Sequence, residues 1–333
     1  MPQGYDFAIF GASPLAALLA GLLAHDHGRQ VLLVTDPPSP QRLPRQIDVA
    51  LPFATRPQSW RIVRQAEADT KMLLRSVDGT DRLGSTAVEI VADRARTAAA
   101  LAHVSEMARG FGIDARGGRF NRVARLEGEI SLKESKVQIV EPSSIGFGPR
   151  DGKAARLTLS NETVEVGQIV LADDAAILDR LPEPDRPPLL VAQPMTATLT
   201  SPAKRLPAPV MRYADRGVTL AQRPDGSVLG LVSGTDSVEA RLASCLPGPF
   251  PLQRRATTHF SRLVSIDGAP VIGRLDPTRF FVIAGLGDAG AFMAPPLARR
   301  LAGKSTDGEA AWFATHDFVS DREAIADLAE VVA

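Results

Sequence analysis

The N-terminal stretch up to Asp36 constrains the fold more than any other part of the chain. A short apolar run, Phe7–Phe10, is followed by a turn that begins at Gly11 and by a leucine-rich segment to about His27. A second apolar run, Val31–Val34, comes next and ends close to Asp36. Short apolar runs predict buried strands, and the small and leucine residues between them predict a helix. The stretch therefore predicts a strand, a tight turn, a helix and a second, parallel strand.

The turn resembles the dinucleotide-binding motif G-x-G-x-x-G/A. Gly11 and Ala16 match it, whereas Ser13 places a side chain where the backbone should approach a phosphate. Backbone N–H groups and the helix dipole at such a helix start can bind a pyrophosphate. The candidate pyrophosphate-binding residues are Gly11, Ala12, Ser13, Pro14 and Leu15. Asp36 stands where a carboxylate accepts hydrogen bonds from a ribose. We favour dinucleotide binding over a purely structural βαβ unit.

An alternative interpretation concerns the nearly uncharged stretch from Phe7 to Ala24, which is about long enough for a signal peptide or a membrane segment. The residues before it include Asp6 and no Lys or Arg, and Gly11 and Pro14 interrupt it. A buried strand and helix explain the stretch better. We therefore expect no interaction with a membrane.

Charge and composition exclude several classes of function. The 333 residues include 38 basic and 38 acidic side chains, so no net field would attract a nucleic acid or an anionic membrane. Cys245 is the only cysteine, which rules out a disulfide within the chain. The five histidines show no metal-ligand spacing, and we predict no metal site. We expect one or two domains and a cytoplasmic protein.

The middle of the chain alternates between helical and extended patterns. Two helices are predicted, at Gln58–Arg75 and Thr97–Gly110. Short alternating runs from Arg119 to Val170 predict an antiparallel meander, which ends in a buried parallel strand at Gln168–Ala172. Residues 182–209 hold eight prolines and are predicted to cross between domains. Further strands are predicted at Met195–Thr200, Gly217–Gln222 and Val228–Ser233.

The C-terminal third contains a second glycine-rich unit. The run Asp267–Arg274 predicts a β-hairpin, and Phe280–Ala284 predicts a buried strand. A turn containing Gly285, Gly287 and Gly290 then leads to a helix that ends near Gly303. Backbone N–H groups at this helix start suit an anionic or electron-rich ring edge. The glycines are equally well explained by a tight turn between a strand and a helix.

Taken together, the two glycine-containing turns resemble those of the D-amino-acid-oxidase-like flavoproteins, the family of glycine oxidase and the monomeric sarcosine oxidases. The resemblance is strong at both ends of the chain and loose between them. It implies an α/β fold, with a Rossmann-like FAD-binding domain of the glutathione-reductase type and a smaller antiparallel β-sheet substrate domain. The implied FAD-binding domain comprises residues 1–60, 86–190 and 256–333, and the substrate or cap domain comprises residues 61–85 and 191–255.

The resemblance also implies a cofactor, FAD, and hydride transfer to its flavin from a carbon beside nitrogen. The late residues implied to bind FAD are Gly285, Gly287, Asp288, Ala289, Gly290, Ala291, Phe292 and Met293. Arg262, five residues before Asp267, is implied to hold a substrate carboxylate; the alternative is a solvated arginine. Thr219 stands where the family usually has a tyrosine, and Tyr213 is a candidate catalytic substitute. We expect non-covalent FAD, since Cys245 lies in a proline-flanked loop.

Departures from the family leave the function open. The chain is short in the cap over the substrate, and Asp173-Asp174 replaces the usual Ala-Gly near the FAD phosphates. We predict an FAD-dependent oxidoreductase of a small amine or amino-acid-like substrate, with a site that is open or completed by a protein partner. The alternative is a non-catalytic or electron-relay FAD-binding subunit of a larger complex. A third hypothesis, an NAD(P)-binding protein, gives the late glycine-rich unit no purpose.

Overall fold

The computed structural model describes residues 4–35, 49–50, 54, 56–77, 83–127, 137–142, 144–151, 154–246, 253–275, 280–317 and 322. The helices are α1 (Pro14–His25), α2 (Pro57–Val77), α3 (Ala95–Gly110), α4 (Asp174–Arg180), α5 (Val238–Cys245), α6 (Ala294–Leu301) and α7 (Asp307–Thr315). Three 3₁₀ helices span Glu183–Asp185, Ala214–Arg216 and Gly287–Met293. The strands are β1 (Gly4–Phe10), β2 (Val31–Val34), β3 (Val49–Ala50), β4 (Leu83–Val91), β5 (Asp114–Arg116), β6 (Arg119–Glu127), β7 (Val137–Val140), β8 (Ile145–Asp151), β9 (Ala154–Leu159), β10 (Glu162–Leu171), β11 (Leu190–Pro202), β12 (Val210–Tyr213), β13 (Val218–Gln222), β14 (Ser227–Ser233), β15 (Arg254–Ser265), β16 (Val271–Leu275) and β17 (Phe280–Ala284).

The first sheet has a parallel centre. Its strand order is β16-β17-β10-β1-β2-β7, with β9 also pairing β10 and β8 pairing β9. Neighbouring strands from β17 to β7 run parallel, and Phe7 of β1 lies opposite both Val31 of β2 and Gln168 of β10. The predicted β1-α1-β2 unit is therefore confirmed, as is the buried parallel strand that ends at Leu171.

Helix α1 lies inside the molecule because it is apolar on all sides. Its leucines, from Leu15 to Leu23, are at most 7% exposed. The helix packs against α6 and the 3₁₀ helix Gly287–Met293, which come from the other end of the chain. The two predicted glycine-containing units are thus brought into contact by a shared core.

The second sheet is mostly antiparallel. Its order is β15-β11-β14-β13-β12-β4-β6-β3, with β5 beside β6, and only β12 and β4 pair in parallel among its described strand pairs. One face, which carries Ala197, Val210 and Leu229, joins the main core. The opposite face, which carries Leu220 and Val232, forms a separate core with Leu242 and Cys245 of α5. Helices α2 and α3 confirm the two predicted helices of the middle region.

The prediction of one antiparallel meander from Arg119 to Val170 is wrong in part. Only β8, β9 and β10 form such a meander. Strand β6 pairs β4 in the second sheet, and β7 pairs β2 in parallel in the first. Alternating hydrophobicity indicates a half-buried strand, but it carries no information about the partner strand.

The hairpin predicted at Asp267–Arg274 is also corrected. The turn at Asp267 connects β15 of the second sheet to β16 of the first, and the hairpin is formed by β16 and β17 instead. The Asp267 carboxylate accepts a hydrogen bond from Ala269 N at 3.0 Å and pairs with Arg322 at 2.8 Å. Both side chains of this ion pair are 6% exposed, so the aspartate fixes the crossing between sheets.

The mixed α/β class with two multi-stranded sheets is confirmed. The glutathione-reductase subtype and the domain boundaries stay predictions. Within the segments that were predicted to form the FAD-binding domain, the strands β4, β5, β6 and β15 belong to the second sheet. Among the described residues, no helix combines the length and the apolar character needed to cross a membrane.

Candidate functional site

The turn after β1 requires a glycine. Gly11 has φ +151°, and its N–H donates to Val34 O at 3.1 Å. A Cβ at this position would lie 2.9 Å from Asp173 Oδ2 and 3.0 Å from the Ala16 Cβ. Both the backbone conformation and the lack of space therefore exclude a side chain at Gly11.

Ser13 has a local role that the motif does not foresee. It is the N-cap of α1, and its Oγ accepts a hydrogen bond from Ala16 N at 3.3 Å. The hydroxyl also lies 3.5 Å from Ala172 O, and Pro14 follows as the first helical residue. The serine side chain is thus turned toward the start of α1, which explains how the turn accommodates it.

Asp173 lies at the same turn, as its sequence position suggested. Its Oδ2 accepts a hydrogen bond from Ala12 N at 2.7 Å, while its Oδ1 accepts one from Ala176 N at 2.7 Å. The second bond caps α4. One carboxylate therefore joins the beginnings of two helices, and it occupies a backbone N–H of the candidate pyrophosphate turn.

The late glycine-rich unit is a 3₁₀ helix, Gly287–Met293, followed by α6, so much of the predicted turn is itself helical. Gly285 and Gly287 have φ of +69° and +52°, as the tight turn requires. The side chains of four predicted cofactor residues are buried in the main core, and these residues are Ala289, Ala291, Phe292 and Met293. Any contact between these four residues and a ligand would involve their backbone.

Asp288 brings two arginines together. Its Oδ2 pairs with the guanidinium of Arg212, and its Oδ1 lies 3.8 Å from Arg262 Nη2. The side chains of Arg212, Arg262 and Asp288 are only 11%, 17% and 14% exposed. The arginines come from β12 and β15, between which β13, β14 and β11 lie, and the strand register places both on the sheet face that joins the main core. We call these three residues the arginine–aspartate cluster.

The structure does not place Tyr213 with this cluster. The Tyr213 hydroxyl donates to Cys245 O at 2.7 Å, and its ring packs with the separate core beneath α5. Burial, followed by the charge of Cys245, raises the pKa of this phenol. Because side chains alternate along a strand, the residue that faces the main core is Arg212, which pairs in register with Thr219. The catalytic role of Tyr213 stays a prediction, and Arg212 is the residue of this strand that lies in the arginine–aspartate cluster.

Sequence reasoning missed Arg212, although the sequence contained a signal, an arginine within the strand sequence Val210-Met211-Arg212-Tyr213. In the structure this arginine is 9% exposed, and a buried charge requires a partner. Asp36, the predicted ribose ligand, lies outside the described residues. The other predicted cofactor positions, from Gly11 to Leu15 and from Gly285 to Met293, line the carboxyl ends of β1 and β17.

Comparisons with known proteins identify the fold of the chain, but they find no close relative by sequence. No model of a known protein family matches the chain, and no curated protein matches it in sequence. Several solved structures match along almost their whole length. L-proline dehydrogenase from P. horikoshii is 14% identical with a TM-score of 0.64, covering 94% of this chain and 97% of its own. Glycine oxidase from Bacillus cereus ATCC 14579 is 13% identical with a TM-score of 0.63, covering 91% and 96%. Iminodiacetate oxidase from Chelativorans sp. BNC1 is 18% identical with a TM-score of 0.60, covering 89% and 94%. The chain has the D-amino-acid-oxidase-like fold.

The turn after β1 has N–H groups that could bind the pyrophosphate of a dinucleotide, but another of its N–H groups is already bonded to a carboxylate. The N–H groups of Ser13 and Leu15 have no acceptor among the described residues, as expected at a helix start that can bind an anion. The Ala12 N–H, in contrast, is bonded to Asp173 at 2.7 Å. The turn therefore has N–H groups for a pyrophosphate, and it also has a carboxylate of its own beside them.

Proposed function

We propose that the chain is an FAD-dependent oxidoreductase that removes hydride from the carbon of a C–N bond in an amino-acid-like substrate. The observation that carries this proposal is the position of the two glycine-containing turns. They follow β1 and β17, which are both parallel to β10 and lie on either side of it. Because the strands run in the same direction, both turns lie at one edge of the sheet, where α/β folds bind nucleotides.

The implied cofactor would extend between these turns. The turn from Gly11 to Leu15 would hold its pyrophosphate, and the backbone of Gly285–Met293 would face its flavin ring. FAD, when bound, supplies the hydride acceptor. The residues of the chain would supply orientation and electrostatics, since a neutral amine next to a carboxylate needs no strong base to lose hydride.

The arginine–aspartate cluster supports a substrate that carries a carboxylate. Guanidinium groups bind carboxylates with two parallel hydrogen bonds, and Arg212 and Arg262 present two such groups at the late glycine-rich turn. The three comparison proteins are named for proline, glycine and iminodiacetate, each of which has a carboxylate close to its nitrogen. We propose that Arg262 holds the substrate carboxylate, because its largely buried guanidinium lies at the late glycine-rich turn, with Nη2 3.8 Å from Asp288 Oδ1.

The visible spectrum of the purified chain tests the cofactor. We expect flavin absorption bands, and acid precipitation should release the yellow colour into the supernatant because binding is non-covalent. Anaerobic addition of a panel of amino acids and amines, with and without a carboxylate, should then bleach the flavin for substrates with a carboxylate. A chain that binds no flavin after reconstitution with FAD would refute the proposal.

A non-catalytic FAD-binding subunit is the second candidate. It is favoured by one observation, the absence of a tyrosine on the sheet face that carries Arg212 and Thr219. Flavin that is bound but not reduced by any member of the panel would support this candidate. If reduction appears only after addition of a cell extract depleted of small molecules, a partner protein completes the site.

A further inference from the structure

Asp173 is bonded in a way that helix capping alone does not explain. Capping of α4 needs one carboxylate oxygen, and Oδ1 supplies it through Ala176 N at 2.7 Å. The other oxygen, Oδ2, reaches across to Ala12 N, which is 161 positions away in sequence. This second bond places a carboxylate at the beginning of α1.

Gly11 is what allows this approach. A Cβ on Gly11 would lie 2.9 Å from Asp173 Oδ2 and 3.1 Å from Asp173 Cγ, which is too close for carbon. In the dinucleotide motif, the absence of a side chain lets a phosphate approach the backbone. Here the same absence makes room for the carboxylate of Asp173.

A phosphate and this carboxylate would compete for the same environment. Both are anions that accept hydrogen bonds from N–H groups and are attracted by the positive end of α1. A pyrophosphate on the N–H groups of Ser13 and Leu15 would lie next to Asp173, and like charges at such short range repel one another.

We propose that Asp173 lowers the affinity of the first turn for the pyrophosphate of a dinucleotide, by occupying the Ala12 N–H and by placing a negative charge beside the phosphates. This inference rests on the proposed function, because it takes the turn to be the pyrophosphate site. It predicts that neutralising Asp173 tightens the binding of every ligand that carries the pyrophosphate.

The test compares Asp173→Asn and Asp173→Ser with the unchanged full-length chain, each freed of flavin. Asparagine and serine are both good N-cap residues, so α4 keeps its cap. Flavin fluorescence titrations with FAD, and calorimetric titrations with ADP, measure affinity directly without any turnover. We expect both variants to bind FAD and ADP at least tenfold more tightly than the unchanged chain, and to bind riboflavin, which has no phosphate, equally well.

Asp179→Asn is the matched control, since Asp179 is an exposed residue near the other end of α4 and the variant loses the same charge. It should change the affinity for FAD less than twofold. If the unchanged chain binds FAD and the Asp173 variants bind it no more tightly while retaining the thermal stability of the control, the inference is wrong and the proposed function stands. If neither the unchanged chain nor any variant binds FAD or ADP, both fail.

Discussion

Removing the Arg212 side chain should lower the free energy of unfolding, because the Asp288 carboxylate loses its nearest ion-pair partner. In Arg212→Ala, the Asp288 carboxylate keeps one cationic partner among the described residues, the guanidinium of Arg262, whose Nη2 lies 3.8 Å from Oδ1, beyond hydrogen-bond distance. Breaking a buried ion pair by removing one partner costs about 3–5 kcal/mol, because the remaining charge stays desolvated. The Asp288 side chain retains 14% exposure and a second arginine nearby, so we expect a loss at or just below the lower end of this range. We expect a loss of about 2–3 kcal/mol.

Thermal unfolding of the full chain, followed by circular dichroism, measures this loss. For domains of 150–250 residues, 1 kcal/mol corresponds to about 2–4 °C in Tm, so the expected decrease is roughly 4–12 °C. Arg254→Ala is the control, since Arg254 pairs with Glu239 at 3.0 Å while the two side chains are 56% and 77% exposed. Such a surface pair contributes about 0–1 kcal/mol.

A second variant separates the lost ion pair from a general packing defect. Arg212→Met combined with Asp288→Leu removes the closest ion pair of the cluster and keeps apolar volume, so it should recover part of the lost stability; the rest is lost because Arg262 no longer faces Asp288. If Arg212→Ala lowers Tm no more than Arg254→Ala does, Asp288 is not a desolvated carboxylate and the arginine–aspartate cluster has been misinterpreted.

Substitutions at four further residues test the site. Arg262→Ala should lower kcat/KM for a carboxylate substrate by tens to thousands of fold, which corresponds to about 2–5 kcal/mol. Arg262→Lys should recover only part of this kcat/KM. Unchanged kinetics with normal flavin content would contradict the carboxylate role. Ser13→Gly should cost only a few tenths of a kcal/mol of stability in an unfolding titration, because glycine is a tolerated N-cap. Ser13→Leu should abolish FAD binding. Full flavin occupancy in the leucine variant would show that the pyrophosphate does not lie on this turn. Gly11→Ala should displace Asp173 and lose several kcal/mol of stability or fail to fold, whereas a stable variant would contradict the lack of space for a Cβ at Gly11. Tyr213→Phe should lose about 1 kcal/mol of stability with its bond to Cys245, while turnover stays within twofold; a large loss of kcat would restore Tyr213 to the site.

The sequence predicted the elements better than it predicted their partners. The β1-α1-β2 unit, α2, α3 and the strands β11, β13 and β14 could be located because hydrophobic periodicity and turn residues are local signals. The assignment of β6 to the second sheet and the parallel pairing of β7 depend on contacts with distant strands, which periodicity does not encode. The same limit applies to the turn at Asp267, whose aspartate predicts a reversal without predicting the sheet that follows.

The candidate site divides in the same way. The glycine turns could be predicted because their residues are contiguous and each glycine answers a local backbone requirement. The bond from Ala12 to Asp173 and the pairing of Arg212 with Asp288 join residues that are far apart in sequence. For both contacts, the only local signal in the sequence was a charged residue at a position where the surrounding apolar pattern predicts burial.

Two departures from the dinucleotide-binding pattern, Ser13 and Asp173, make contacts within the chain: Ser13 caps α1, and Asp173 bonds Ala12. The Asp288 carboxylate is likewise held by arginines. A helix start or a buried charge without partners is costly, so each internal contact removes part of the driving force that a bound anion would otherwise provide. A ligand at this edge gains only what it offers beyond the contacts it replaces. The N–H groups of Ser13 and Leu15 are the described donors that are not already used, and they set what a pyrophosphate can still gain at the first turn. Under the proposed function, the fold accounts for where a dinucleotide would lie, and these internal contacts would set how tightly it is held.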